Sequence, residues 1–104
     1  MSLSQDQKKR LRTIGHQLNP IVTVGDKGLS ATVIEEINRA LNDHELIKVK
    51  VVTEDREDKK AIVAELITQT NAVLVQTIGH VALILRKADK PNPKLSNLKR
   101  FQNL

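Results

Sequence analysis

Cysteine, tryptophan and tyrosine are missing from the 104 residues, and Phe101 is the one aromatic side chain. Without cysteine there is neither a disulfide framework nor a thiolate metal site. With a single aromatic ring, a platform of stacked aromatic side chains for single-stranded RNA is excluded. Any nucleic-acid contact would have to run through backbone amides, lysine and arginine. No apolar run approaches membrane-spanning length and the first residues lack the hydrophobic stretch of a secretory signal, so the cytoplasm is the expected location. Neither G-x-G-x-x-G nor G-x-x-x-x-G-K-[ST] occurs, and no nucleophile elbow is present. His16, His44 and His80 are far apart on different elements, none with a ligand-spaced partner. No cofactor, no metal and no catalytic residue is expected.

What remains is one domain's length of chain, 39% hydrophobic, with a net charge of +5. The charge is unevenly placed. From Arg86 onward six basic residues accompany one acid, and residues 1–28 carry five basic and two acidic residues. Residues 29–85 are net acidic, with six basic and nine acidic side chains. Positive charge confined to the two ends and a glycine loop suits a polyanion bound on one face, although basic tails also serve solubility alone.

The chain is organised around Ile21-Val22-Thr23-Val24-Gly25-Asp26-Lys27-Gly28-Leu29-Ser30. An apolar, β-branched run ends in a glycine, a second glycine follows three residues later, and Ser30 is placed to cap a helix. The pattern predicts strand, tight G-x-x-G loop, helix. A helix start presents unpaired N–H groups and the positive end of a dipole, and glycines let a phosphodiester backbone approach closely. Gly25, Asp26, Lys27 and Gly28 are therefore candidate contacts; Lys27 supplies a mobile cation, while Asp26 would repel phosphate.

Ahead of this loop, residues 4–18 read as an amphipathic helix with Ser4 and Gln7 at capping-box spacing. Leu11, Ile14 and Leu18 form its buried stripe, and Lys8, Lys9, Arg12 and His16 fall on another face as further candidate contacts. Asn19-Pro20 ends it. Strands are expected at 21–24, 45–52, 72–78 and 81–86, and helices at 31–43 and 56–70. In the second strand Ile47, Val49 and Val51 alternate with Lys48 and Lys50, which implies one packed and one wet, basic sheet face. Both lysines are candidate contacts, though lysines on a strand also guard against edge pairing. The acids Glu54, Asp55, Glu57 and Asp58 suit a helix start and need no catalytic explanation. Gly79-His80 fits a type II′ hairpin. The unbroken apolar run Val81–Leu85 predicts a central strand. Residues 88–104 read as an extended basic tail, with Leu95, Leu98 and Phe101 spaced for a short docked turn. The fold class is α+β, two layers: an N-terminal helix, then β-α-β-α-β-β. Three helices cover one face of a four-stranded mixed sheet, with parallel neighbours within each β-α-β unit.

Several of these residues together resemble a known family. They are the basic first helix, Val24-Gly25-Asp26-Lys27-Gly28-Leu29 before a helix, and His44-Glu45-Leu46-Ile47-Lys48-Val49-Lys50-Val51. Thr53-Glu54-Asp55-Arg56 and Gln76-Thr77-Ile78-Gly79-His80 complete the set. Over about residues 3–87 the chain resembles the bacterial YhbY family, the stand-alone form of the CRM (chloroplast RNA splicing and ribosome maturation) domain. The resemblance implies an RNA-binding domain over 1–87 with a KH-like G-x-x-G loop. It also implies a fold similar to the C-terminal domain of bacterial translation initiation factor three, and association with precursors of the large ribosomal subunit. Binding residues would then map onto Gly25, Lys27, Gly28 and the basic residues of the first helix. A monomer is the simplest expectation. Two other readings compete: a protein-interaction module whose basic tail binds an acidic partner, and a small enzyme built on the acids around Asp55.

Overall fold

The computed structural model describes residues 3–25 and 27–102. The element order is α1 (Gln5–Gly15), β1 (Pro20–Val24), α2 (Ala31–His44), β2 (Leu46–Val51), α3 (Arg56–Thr70), β3 (Val73–Ile78), β4 (Val81–Leu85) and α4 (Asn97–Arg100). Local chemistry accounts for most of the boundaries. The Ser4 hydroxyl accepts the Gln7 N–H at 3.1 Å while the Gln7 amide oxygen accepts the Ser4 N–H at 2.8 Å, a complete capping box. Ser30 caps α2 and Asp55 caps α3. α1 stops at Gly15, short of the expected residue 18, because the Gln17 and Leu18 amides reach back three residues to Ile14 and Gly15 and tighten the last turn. In the β3–β4 turn Gly79 has a φ of 55°, the left-handed position that a type II′ turn assigns to its first central residue.

The sheet order is β1-β2-β4-β3. β1 and β2 are parallel neighbours, and β4 runs antiparallel to both β2 and β3. The second β-α-β unit therefore does not place its strands side by side: β4 lies between β2 and β3. The apolar β4 is central, as its composition implies. Ile47, Val49, Val51, Val22, Val24, Ala82 and Ile84 point to one face and meet Ile37 and Leu41 of α2 and Val63 and Leu66 of α3.

The other face corrects the expectation that helices cover only one side. Leu46, Leu83, Leu85 and Val75 bury themselves under Leu11 and Ile14 of α1, with Leu98 and Phe101 packed alongside. Each fully buried aliphatic chain of this kind contributes about 1.5–3 kcal/mol. Gly15 lets α1 settle directly on β4, since a Cβ there would lie 2.7 Å from a Leu83 methyl. The cover is partial. By register Leu46 pairs with Leu85, Lys48 with Leu83 and Lys50 with Val81. α1 reaches the Leu83 level and stops, leaving the Lys50–Val81 level bare.

A fourth helix is present where three were expected, and residues 88–102 are docked, not extended. The short turn suggested by Leu98 and Phe101 is α4; Leu95 stays exposed. The anchors are polar. Ser96 is fully buried and donates to a Glu45 carboxylate oxygen at 2.6 Å. The Ala88 N–H donates to the other oxygen at 2.7 Å, and the Asn97 amide donates to the Leu46 carbonyl at 2.6 Å. Glu45 itself is 2% exposed with a φ of 61°. Arg86 is half-buried. Its guanidinium donates to the Asn38 side chain and carbonyl, the Asn42 side chain and the Thr70 carbonyl, at 2.7–3.0 Å. It thereby neutralises the C-terminal end of α3 and ties it to α2.

Two stability outcomes follow. Glu45→Ala leaves the Ser96 hydroxyl and Ala88 amide unpaired and is expected to cost about 2–4 kcal/mol in urea unfolding, with the segment after Lys87 cleaved first by limited proteolysis. Arg86→Lys loses the four-way fork and is expected to cost about 1–3 kcal/mol by the same measurement.

Candidate nucleic-acid interface

Three connections meet at one end of the sheet. β1 runs out into the glycine loop, and β2 ends beside it, with the Val52 N–H on the Val24 carbonyl at 2.8 Å. The β3–β4 turn joins them through the Val51 N–H on the His80 carbonyl, at 2.6 Å. Below this end lies the bare half of the sheet face.

In the loop Gly25 and Lys27 are exposed, and Gly28 has a φ of 71°. Asp26 lies outside the described residues. The two glycines serve different ends. Gly28 occupies a left-handed conformation that disfavours any side chain. Gly25 does not, and a Cβ built on it meets nothing within 4 Å, so nothing in the folded chain requires glycine there. The loop amides differ from expectation. The Gly28 N–H donates to the Gly25 carbonyl at 3.0 Å, and the Ser30 N–H to the Gly28 carbonyl at 3.2 Å. Ser30 Oγ already accepts the Val33 N–H. The Gly28, Ser30 and Val33 N–H groups are thus taken up within the turn and the cap, and the exposed Lys27 side chain adds a cation beside them.

The sheet lysines and the end of α1 come together. Lys48 is half-buried and Lys50 exposed on the bare face, with Thr23 opposite Lys50. His16 is exposed, and with Lys48 it borders a hollow of about 170 Å³. Its apolar floor is Pro20, Ile78, Val81 and Leu83, and the Gln76 amide completes the rim. Lys9 is exposed and Lys8 and Arg12 half-buried on α1, further from the loop. Lys8 to His16 spans about 12 Å of helix, and Lys48 to the end of the sheet about 10 Å of strand. The predicted residues thus lie on separate elements, the loop, β2 and α1 with the residue after it, and of these His16 and Lys48 are brought to one hollow.

Acids adjoin the loop on the α3 side. Asp55 caps α3 through the Glu57 N–H at 2.8 Å. Asp58 and Glu65 share with Gly25 a small depression on the α3 side. A polyanion reaching the loop is repelled there and attracted toward Lys50. Among the described residues, no group of three or more His, Cys, Asp or Glu is arranged to hold a metal ion. No described helix is long and apolar enough to cross a membrane.

Sequence reasoning missed the hollow, because its walls come from α1, β1, β2, β3 and β4. The one local signal is Ile78, an aliphatic residue at a strand end beside a polar turn, which is 62% exposed.

The chain is similar to known proteins. A protein of Pseudomonas aeruginosa named a probable RNA-binding protein is 49% identical over 104 residues, covering 100% of both chains. A Haemophilus influenzae protein named an RNA-binding protein is 45% identical over 94 residues, 90% of this chain and 95% of its own. The solution structure of a hypothetical protein from Staphylococcus aureus superposes with a TM-score of 0.74 at 35% identity, covering 86% of this chain and 93% of that one. The family model for the CRS1 / YhbY (CRM) domain matches residues 3–86, and with relatives this similar over their whole length the chain belongs to that family.

Proposed function

We propose that this chain is a cytoplasmic, non-catalytic RNA-binding protein, a monomer, that acts on precursor ribosomal RNA during assembly of the large ribosomal subunit. The observation that carries RNA binding is the basic, partly uncovered sheet face: Lys50 and Lys48 stand on it and the exposed His16 borders it, with Lys27 in the loop after β1 and Lys8, Lys9 and Arg12 on α1. Asp58 and Glu65 lie beside Gly25 on the α3 side. Relatives named RNA-binding proteins support the same reading. The ribosomal assignment rests on the family resemblance of the motifs.

In this mechanism the loop acts as a KH-like phosphate contact through Lys27, and Gly25 keeps the main chain clear so that the strand can approach. The cations fix the path of the backbone, and the identity of the RNA is read by its shape. The docked C-terminal segment weakens the rival reading of a free basic tail, although Lys90, Lys94, Lys99 and Arg100 remain exposed.

Three outcomes test this. Affinity for structured RNA should fall steeply with salt, and Lys27→Gln should reduce the log–log slope by about 0.7–0.9, the value of one phosphate contact. An unchanged slope with circular dichroism intact would remove Lys27 from the interface. Gly25→Val should leave the unfolding midpoint unchanged while weakening binding several-fold by fluorescence anisotropy, since its side chain projects into space that only a partner fills. Crosslinking in cells and sequencing of the attached RNA should enrich a discrete segment of large-subunit ribosomal RNA; an even spread over messenger RNA would overturn the ribosomal assignment.

A further inference from the structure

We infer that the hollow beside Lys48 seats the base of one unpaired nucleotide, so that the RNA face reads single-stranded or bulged RNA in preference to duplex. This rests on the RNA-binding reading above and adds a base contact to it. Size is the first argument. The hollow holds about 170 Å³, well above the roughly 30 Å³ of a water molecule and below the roughly 300–1,000 Å³ of typical sites for drug-sized ligands. A single planar heterocycle falls in that interval.

Chemistry is the second. The floor is aliphatic, made by Ile78, Val81 and Leu83 with the Pro20 ring, and the rim offers three polar groups, from His16, Lys48 and Gln76. No carboxylate borders it. An apolar slot flanked by the Lys48 ammonium fits a ligand that joins a flat apolar face to a phosphate, and a nucleotide is such a ligand. The Gln76 amide can donate and accept, as the edge of a base requires. Ile78 is an aliphatic side chain left 62% exposed on the face that carries Lys48 and Lys50, and burial under a base would remove that exposure.

Geometry is the third. By register Val81 lies opposite Lys50 and Leu83 opposite Lys48. A strand whose phosphates follow the two lysines therefore passes directly over the hollow. An A-form duplex keeps its base faces stacked inside and cannot fill it. With Phe101 as the one aromatic residue a stacking platform is excluded, but an aliphatic seat is not. A second copy of this chain is a poor occupant, because both copies carry a net charge of +5.

The test compares three probes of equal charge by fluorescence anisotropy at one salt concentration. They are a short oligoadenylate, the same ribose-phosphate strand with its bases removed, and a duplex of equal phosphate count. Base removal is expected to weaken binding about five-fold or more, as is replacement by the duplex. Ile78→Ser, at an exposed position that the fold does not need, should abolish the difference between base-bearing and abasic strands and leave the salt slope unchanged. Equal affinity for the base-bearing and abasic strands, with Lys27→Gln still weakening both, would overturn the base seat and leave the RNA-binding reading standing. Failure of all three probes to bind would overturn both.

Discussion

One buried carboxylate governs how much of the second sheet face is covered. Glu45 stands at the turn from α2 into β2, in a left-handed conformation that a non-glycine residue adopts only when its surroundings hold it there. Its two oxygens take the Ser96 hydroxyl and the Ala88 amide, and its own carbonyl takes the Arg86 N–H at 2.9 Å. A carboxylate this deep is costly unless every oxygen is paired. The chain meets that cost by folding its last segment back over Leu46, where Asn97 closes on the main-chain carbonyl. α4 and α1 then share the lower half of the face.

The upper half stays bare for a reason of chain length. α1 ends at Gly15, level with Leu83, and the next strand must begin at the far edge with Pro20 opposite Lys48. The connection between them runs toward that edge, and no later element crosses the gap. The result is a sheet with one face sealed by α2 and α3 and the other half open, carrying lysines where the alternation of β2 places them. Polarity is divided accordingly: Asp58 and Glu65 lie on the α3 side of the loop, and Lys48 and Lys50 on the open side. Some basic side chains are held by the fold: Arg86 donates to Asn38, Asn42 and Thr70, Arg10 to the Gln102 carbonyl, and Lys59 to the Gly79 carbonyl.

Local order was legible from the residues because local chemistry produces it. The Ser4–Gln7 box, the Ser30 cap, the alternation of Ile47, Val49 and Val51, and the unbroken run of β4 each act within a few residues. What escaped was non-local or carried by unusual backbone. Nothing between 72 and 86 announces that β4 inserts between β2 and β3. Ser96 and Asn97 have the composition of a loop, and only the distant Glu45 and Leu46 make them core. The candidate contacts divide in the same way. Lys27 and Lys50 are exposed as their positions imply, whereas the amides of Gly28 and Ser30 close the loop upon itself.

On the RNA-binding reading proposed above, that last difference shifts weight from main-chain donors to lysine side chains. Amides converging on a phosphate would act as an anion cradle; separate lysines act as point charges and serve every phosphate alike. A contact of that kind supplies affinity and salt sensitivity and carries no information about which nucleotide is bound. On that reading, preference for one RNA over another comes from features that not every RNA presents: the path its backbone can follow past Lys27, Lys50 and Lys48, and whether a base is free to leave its stack beside the exposed Ile78 and the half-buried Val81. With the base seat proposed above, a domain with one aromatic residue would distinguish paired from unpaired RNA, because aliphatic side chains and a glutamine amide offer a base both a surface for its face and a partner for its edge.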